Sequence, residues 1–177
     1  MSDRLTKSDW IRQGLLTLAK HGPGELKVGP MSARLKVSRG SFYWHFEDIA
    51  DFRAQLLQGW REVSTDRVIQ DLDKTAGPDR LKRLMRRAFG MRLTLERAMR
   101  AWGAKDRDVA AAVAEVDARR VAHIASLLAA SGVDDEQARV RATFLYWAFL
   151  GQATVLDRRH ASVPDEALDE IVALFEN

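Results

Sequence analysis

The chain has 177 residues, of which 46% are hydrophobic and 30% are charged, a balance that suits a folded protein and excludes a fibrous or disordered one. It contains no cysteine, which excludes disulfide bonds, thiolate metal sites and cysteine redox sensing. The start of the chain shows no apolar run behind a basic segment, and no stretch reaches the length that a bilayer requires, so a cytoplasmic location without a membrane partner is expected.

The positive charge of the chain is concentrated near its start. Residues 1–46 carry eight Lys or Arg side chains against three Asp or Glu, a net charge of +5, whereas the remainder carries 20 against 22, a net charge of −2. A basic segment joined to a mildly acidic one suits a polyanionic partner, but a solvated basic surface produces the same imbalance. Charge alone therefore leaves both interpretations open.

The hydrophobic pattern is helical almost throughout, with no convincing strand alternation, and it predicts an all-α fold. Thr6 and Asp9 have the spacing of an N-terminal capping box, and the helix that follows is predicted to end at Gly22. A second, short helix is predicted over 28–35. Pro30 falls in its first turn, where the missing amide hydrogen leaves no hydrogen bond unmade.

A third helix is predicted after a turn at Lys36 and Val37, with Ser38 as its N-cap residue. Phe42 and Phe46 share one face of this helix and are expected to pack inward. The opposite face and its two flanks hold Gly40, Ser41 and Trp44, with Tyr43 and His45 beside them. An exposed Trp beside small residues suits insertion into the major groove of DNA, and Tyr and His can donate to phosphate oxygens. The alternative is that these aromatics pack on neighbouring helices.

Beyond the third helix, the periodicity predicts a larger helical region. Its six predicted helices cover 47–72, 78–96, 98–105, 106–131, 134–158 and 164–176. The first of them would connect the two parts of the chain. A change in its tilt could therefore transmit a change in the larger region to the basic segment.

The stretch from Ala142 to Leu156 contains no charged residue and is too short to span a membrane. One of its stripes, which includes Leu145, is expected to face the core of the same chain, and the other is expected to meet a second copy of the chain. The residues predicted for this homodimer interface are Phe144, Trp147, Gly151, Val155, Ile171 and Phe175. The alternative is a single thick core within one chain.

Methionine and aromatic side chains in the larger region could line an adaptable apolar pocket, although helical cores use the same residues. The candidates are Met85, Phe89, Met91, Leu95, Trp102, Tyr146, Phe149 and Gln152. Trp102 is the strongest of them, because it is predicted to lie in a short helix beside Gly103. An apolar or aromatic small molecule is the favoured ligand.

Evidence for an enzyme is thin. The four histidines are not spaced as metal ligands on one helix face, and no phosphate-binding glycine loop is present. The carboxylate pair Asp134-Asp135 stands where a helix should begin, which indicates capping. The pair Arg119-Arg120 is interpreted as solvated surface or as intersubunit contacts. We therefore expect no catalytic residue, no metal site and no cofactor.

The stretch Leu26 to Phe52, LKVGPMSARLKVSRGSFYWHFEDIADF, resembles the helix-turn-helix signature of tetracycline-repressor-type (TetR family) transcriptional regulators. The resemblance implies a three-helix DNA-binding head over 1–46 and a six-helix effector-binding and dimerisation body over 47–177. It implies a homodimeric regulator, expected to be a repressor, that a small effector releases from an inverted-repeat operator in double-stranded DNA. A helical adaptor that binds protein through its head is the alternative, and a cofactor-free enzyme is a weaker one.

The resemblance also implies which side chains meet DNA. They are Lys27, Ser38, Arg39, Gly40, Ser41, Tyr43, Trp44 and His45. Among them, Gly40, Ser41 and Trp44 would face bases. Phosphates would be met by Lys27, Tyr43 and His45, and Arg39 could serve either role.

The sequence departs from the family pattern at three points. Lys36 stands where a glycine is usual, so it must adopt a left-handed conformation or a different turn must form. Lys27 replaces a capping Thr or Ser, which removes a cap and adds a cation. Glu47 and Asp48 precede the fourth helix, where a lysine is common, and these acids would repel a nearby phosphate.

Overall fold

The structure is a computed structural model that describes residues 5–74, 77, 79–155, 157, 159 and 162–176. Within these residues it contains helices and no β-strand, which confirms the all-α prediction. In chain order the helices are α1 (Lys7–His21), a 3₁₀ turn (Pro23–Glu25), α2 (Val28–Leu35), α3 (Arg39–Tyr43), α4 (Ile49–Arg61), a π-helical segment (Glu62–Asp66), α5 (Arg67–Asp73), α6 (Arg80–Gly90), α7 (Thr94–Gly103), α8 (Arg107–Ala130), α9 (Asp135–Thr154) and α10 (Asp165–Glu176). None of the described helices is both long enough and apolar enough to cross a bilayer.

The chain divides into two compact units. Unit 1 comprises the residues up to Ser64 together with Leu93–Ala114, and unit 2 comprises Thr65–Arg92 and the residues from Glu115 onward. Helix α7 packs along α1, so a segment that the sequence analysis assigned to the larger region folds with the first four helices. The functional division into 1–46 and 47–177 stays a prediction.

An aromatic cluster forms the core of unit 1. The ring of Phe42 lies 5.4 Å from that of Trp10 and 5.6 Å from that of Phe52, and the Phe46 ring lies 5.0 Å from both Phe42 and Phe52. All four side chains are fully buried or nearly so. The predicted inward orientation of Phe42 and Phe46 is therefore confirmed. Each such burial stabilises a fold by about 1.5 to 3 kcal/mol, and edge-to-face pairs add to this.

The turn between α2 and α3 is left-handed at Lys36, with φ 56° and ψ 41°, as expected from the missing glycine. The Lys36 amide donates to Ala33 O at 3.2 Å and the Val37 amide donates to Ser32 O at 3.1 Å, which is the hydrogen-bond pattern of a Schellman motif. The left-handed conformation costs a residue with a Cβ about 1 to 2 kcal/mol, and these two bonds offset part of that cost.

The helix ends agree with the sequence in most places and differ in some. The Thr6–Asp9 capping box is present, and Lys27 is an N-cap residue without a side-chain bond, both as predicted. Ser38 occupies the N-cap position of α3, but its side chain makes no capping bond there, so that part of the prediction is wrong. The Ser41 amide donates to the backbone oxygen of Ser38 instead, at 3.1 Å.

Two of the predicted helices of the larger region have different bounds. The predicted 47–72 helix is interrupted by the π-helical segment, where the Ser64 hydroxyl donates to Trp60 O at 2.5 Å. A side chain that bonds the carbonyl four residues back disturbs the helical ladder, which explains the change in winding. The sequence analysis placed the next break between helices at residue 97. In the structure this break lies at 91–93, because α6 ends at Gly90 and Met91 is extended.

In unit 2, α6 is rich in cations and packs against α10. Arg86 Nε donates to Asp169 Oδ1 of α10 at 2.8 Å, and its second bond is to Asp169 Oδ2. Arg80 pairs with Asp73, and Arg87 lies 3.4 Å from Asp71. These cations are therefore matched by carboxylates of the same unit.

The crossing of α1 and α4 depends on two glycines. A Cβ added at Gly14 would lie 2.6 Å from Leu56 Cδ1 and 2.8 Å from Phe52 Cζ. A Cβ added at Gly59 would lie 2.5 Å from Ile11 Cγ2. Real Cβ atoms do not approach other carbon atoms this closely, so the two helices can only cross at this distance because both positions lack a side chain.

We expect Gly14→Ala to destabilise the protein by about 1 to 2 kcal/mol, because the strain of overpacking exceeds the gain in helix propensity. Thermal unfolding followed by circular dichroism should show a Tm lowered by about 2 to 8 °C. Gly90→Ala is the matched control, since nothing lies within 4 Å of a Cβ there. A Gly14→Ala protein that melts at or above the wild-type temperature would contradict the proposed close crossing.

Candidate functional site

Two large aromatic side chains are exposed at the end of α3. Trp44 is 75% exposed and Tyr43 is 60% exposed, although Phe42 next to them is fully buried. Tyr43 is the last residue of α3, and Trp44 follows it. Since burial of the Phe42 side chain holds this segment against the core, the backbone presents the two outer rings to solvent.

The cation of Arg39 lies at the other end of α3, beside the start of α2. Its Nη2 atom is 3.2 Å from the position that a Cβ of Gly29 would occupy. Lys27, the N-cap residue of α2, is exposed close to the same point in the chain. The positive end of the α2 dipole and two cationic side chains are therefore gathered at one corner of unit 1.

Two other arginines of unit 1, Arg12 and Arg34, form ion pairs. Arg12 Nη2 lies 2.8 Å from Asp9 Oδ1, and Arg34 Nη2 lies 2.9 Å from Glu25 Oε2. The Thr6 hydroxyl and amide, followed by the cation of Arg12, hold the pKa of Asp9 below its usual value, so this carboxylate is charged at neutral pH. Within the described part of the chain, Arg39 has no such ion pair.

His45 has a different environment from the one expected. It is half-buried, and its Nε2 atom lies 2.9 Å from the backbone oxygen of Leu5. Because a carbonyl oxygen only accepts, Nε2 must carry the proton in this bond. His45 therefore connects the end of α3 to the residues before α1. A contact between His45 and a phosphate stays a prediction, and only the Nδ1 atom is left to make that contact.

The remaining predicted DNA contacts lie on the same short element. Ser38 and Gly40 are exposed, and Ser41 is half-buried. The structure thus brings all eight of these residues together at α3, the preceding turn and the start of α2. Which of them touches a base or a phosphate stays a prediction.

The start of α4 is occupied by carboxylates, as the sequence indicated. Asp48 Oδ1 accepts from the Asp51 amide at 2.8 Å, and Asp51 accepts from the Glu47 amide at 3.1 Å and from Gln55 Nε2 at 2.7 Å. The bond from Gln55, and then that from Glu47, lower the pKa of Asp51. The N-terminus of α4 is therefore capped by the chain's own acids, whose charges would repel an anion.

A second exposed apolar surface lies in unit 2, on α9 and α10. Trp147 is 64% exposed and Phe144 is 58% exposed, and the Phe144 ring stacks on that of Phe175 at 5.9 Å. Gly151 is exposed, Ile171 is 37% exposed, and Val155 is half-buried. We call this surface the α9/α10 face, defined by Phe144, Trp147, Gly151, Ile171 and the two residues named next.

The sequence analysis missed two members of the α9/α10 face, Val140 and Leu174. They are 68% and 73% exposed. The signal was available, because Val140 is one helical turn before Phe144 and Leu174 is three residues after Ile171. The opposite side of α9 is buried, including Leu145, Tyr146 and Phe149. Leu156, predicted on that side, lies outside the described residues.

The predicted pocket residues do not form one group. Trp102 and Leu95 lie in unit 1, and the other candidates lie in unit 2. Those in unit 2 are Met85, Phe89, Met91, Tyr146, Phe149 and Gln152. Met85, Tyr146 and Phe149 are buried, and Gln152 donates to Ala88 O at 3.4 Å. Their role as ligand contacts stays a prediction.

Tyr146 is the centre of a buried polar network in unit 2. Its hydroxyl donates to Asp117 Oδ1 at 2.6 Å, and Arg120 Nη1 donates to the same hydroxyl at 3.3 Å. The Arg120 guanidinium also lies over the Phe149 ring, and its Nε atom donates to Thr65 at 3.3 Å. Burial raises the pKa of Tyr146, so the hydroxyl remains protonated and available as a donor.

The arginine pair on α8 agrees only in part with the prediction of solvated surface or intersubunit contacts, because Arg119 is exposed but both side chains have partners within the chain. Arg119 Nη1 lies 2.8 Å from Asp66 Oδ1 of the π-helical segment, and Arg120 belongs to the Tyr146 network. Both are contacts within unit 2. Sequence alone could not reveal this, because the partners are 26 and more residues away along the chain.

The structure also contains a shallow groove of about 250 Å³ between α8 and α9. Its lining residues are Ala125, Ser126, Ala129, Asp135, Ala138 and Arg139. None of them was among the predicted pocket residues. The groove is open and lined mainly by small side chains.

Neither a scan against protein-family models nor a comparison with curated protein sequences finds a match for this chain. A function is therefore inferred from the chain's own residues and their geometry.

Proposed function

We propose that this protein is a homodimeric, ligand-responsive transcriptional regulator of the TetR type, a repressor that binds an inverted-repeat operator in double-stranded DNA. In this proposal the first three helices form the DNA-binding head, with α2, the Lys36 turn and α3 as its helix-turn-helix. The six helical segments after residue 46 form the effector-binding and dimerisation body. The observation that carries the proposal is the exposed pair Tyr43 and Trp44 on a helix anchored by Phe42.

Exposure of a large apolar ring to water is unfavourable in free energy, and small neighbouring residues do little to cover it. The ring of Trp44 is three-quarters exposed, and Gly40 one turn earlier adds no side chain to shield it. A major groove about 12 Å wide admits a helix, and a flat apolar ring can contact the thymine methyl group there. Duplex DNA is therefore a partner that makes use of both the flatness of the ring and the small residues beside it.

Cations flank these aromatics at the beginning of α3. Lys27 and Arg39 lie beside the start of α2, which itself presents the positive end of a helix dipole. Phosphate oxygens are the natural partner of such a group, because each neutralised phosphate releases counterions. The combination of outward rings and flanking cations favours DNA over a protein partner, for which exposed rings alone would be enough.

The proposed dimer uses the α9/α10 face. Exposed Phe144 and Trp147 form a contiguous apolar surface with residues of α10, and such patches mark interaction sites in folded proteins. Gly151 continues the same stripe, where nothing lies within 4 Å of an added Cβ. A glycine in an exposed helix interior costs about 0.5 to 1 kcal/mol relative to alanine, and close approach of a second helix would account for it. A second copy joined by two-fold symmetry would bring two heads to an inverted repeat.

The effector role of the body is supported by the Tyr146 network, beside which the Phe149 ring lies. Buried donors and acceptors surrounded by aromatic and methionine side chains are the usual chemistry of a small-molecule site. An effector would bind one of two arrangements of the dimer more tightly than the other. The ratio of these two effector affinities would determine how far the DNA affinity changes.

Selection of bound duplexes from a randomised DNA library tests the proposal directly. At about 0.15 M salt, where non-specific binding is weak, we expect an inverted repeat to be enriched. Affinity for that duplex should fall steeply as salt rises, because counterions are released. Absence of any enriched duplex, together with salt-independent capture of a protein partner, would support the adaptor alternative.

For the enriched duplex, we expect Trp44→Ala to weaken binding by about 1 to 3 kcal/mol and to relax the preference at one position of each half-site. Arg39→Ala should also weaken binding, because it removes a cation beside α3. Fluorescence anisotropy measures both effects. Leu16→Ala is the control, since Leu16 is an exposed apolar residue of α1. Wild-type affinity in Trp44→Ala would show that the exposed ring serves another purpose.

We expect Trp147→Glu to raise the dimer dissociation constant by about 30-fold or more, because truncating a central aromatic anchor typically costs about 2 kcal/mol. Sedimentation equilibrium measures this constant. Val63→Glu is the matched control, as it adds the same charge at an exposed apolar position of unit 1. An equal effect of both substitutions, or none from Trp147→Glu, would contradict the proposed interface.

A further inference from the structure

The end of α3 meets the beginning of α1 in unit 1. His45 Nε2 is bound to the Leu5 oxygen at 2.9 Å, and the Lys7 ammonium lies 5.4 Å from the centroid of the Phe46 ring. Phe46 is nearly fully buried, whereas Lys7 is exposed. The first residue of α1 therefore carries its cation just beyond the segment that holds Tyr43 and Trp44.

The geometry of this corner defines where the Lys7 cation stands. Phe46 offers the face of its ring, which attracts an ammonium by its quadrupole. The bond from His45 ties the chain before α1 to the same segment. The position of Lys7 is therefore determined by two contacts with this segment: His45 binds the backbone of Leu5, and Phe46 contacts Lys7 itself. Lys7 is not a surface side chain without contacts.

The acids nearby make no ion pair with Lys7 among the described residues. Asp51 is the carboxylate that senses its charge, but both of its oxygens already accept hydrogen bonds, from the Glu47 amide and from Gln55. Asp48 is occupied as the cap of α4. No ion pair to Lys7 is present within the part of the chain that the structure describes. The cation is thus free for an external anion.

The two ends of α3 are consequently bordered by cations of different origin. Arg39 and Lys27 stand at its beginning, next to α2, and Lys7 stands beyond its end. A helix seated in the major groove has a phosphate strand on each side of it. Because Lys7 stands at the opposite end of α3 from Lys27 and Arg39, it can meet a phosphate that those two cations do not.

We propose that Lys7 binds a phosphate of the second strand, on the side of α3 opposite to Lys27 and Arg39, and that His45 positions it. This inference rests on the proposed function, since it concerns the same DNA complex. It gives His45 a role through its bond to Leu5 rather than through a phosphate. It also explains how the head tolerates acids at the start of α4, because the cation on that side comes from α1.

The test measures the salt dependence of binding to the duplex enriched by the wild-type chain. For Lys7→Gln, the slope of log K against log salt should become shallower by about 0.9, the value for one lost phosphate contact. Between 50 and 200 mM salt, the affinity advantage of wild type should therefore shrink by about 3.5-fold. The ratio of affinities for the enriched and a scrambled duplex should stay at its wild-type value. Lys7→Arg should restore the slope.

Lys20→Gln is the matched control. Lys20 is an exposed lysine of the last turn of the same helix, about 20 Å along its axis from Lys7. It should leave the slope at the wild-type value. Thermal unfolding of each variant checks that all are folded at the temperature of the binding experiment.

The outcomes separate this inference from the proposed function. If wild type selects an inverted repeat and Lys7→Gln keeps the wild-type slope, the Lys7 contact is wrong and DNA binding stands. If Lys7→Gln changes the ratio between the enriched and scrambled duplexes, Lys7 reads sequence and the phosphate contact is overturned. If wild type enriches no duplex, both the proposed function and the Lys7 contact fail.

Discussion

The packing of Phe42 and Phe46 against Trp10 and Phe52 is the interaction on which the rest of unit 1 depends. These rings join α1, α3 and α4 around one core. Neighbouring centroids are 5.0 to 5.6 Å apart, so the rings are in close contact with one another. A five-residue helix has almost no intrinsic stability, so its orientation comes from this packing. Once Phe42 points inward, the backbone geometry requires Trp44 to point outward.

Close helix contact supports the same core from a second direction. Gly14 and Gly59 let α1 and α4 approach at two neighbouring points, while α7 covers another side of α1. The buried Trp10 is thereby held from several sides, which limits the movement of the aromatic cluster. A rigid core of this kind suits a surface that must present rings and cations to a partner in one arrangement, since each loose side chain would lose entropy on binding.

Ion pairs match many of the cations in both units. In unit 2, the cations of α6 are matched by carboxylates of α5 and α10, including Arg86 with Asp169. Surface pairs of this type contribute little stability, but they cancel the field that a basic helix would otherwise produce. In unit 1, Lys7, Lys27 and Arg39 have no ion pair among the described residues, and they stand around α3. A basic sequence segment is thus a weaker guide to an anionic partner than an unpaired cation is.

The local features of this protein were determined by the sequence itself. The helical class, the capping box at Thr6 and the inward face of Phe42 follow from spacing and side-chain type, which act within one or two helical turns. The left-handed turn at Lys36 was one of the two outcomes that the sequence left open, and the backbone adopts it.

Only the tertiary structure decided the features that join distant residues. The assignment of α7 to unit 1, the bond from His45 to Leu5 and the network of Tyr146 with Arg120 connect positions 26 to more than 40 residues apart. Periodicity shows that a side chain lies on a given face of its helix, but it carries no information about which helix covers that face. The partner is selected by packing and desolvation of the whole chain, which is why these contacts could not be read from local sequence.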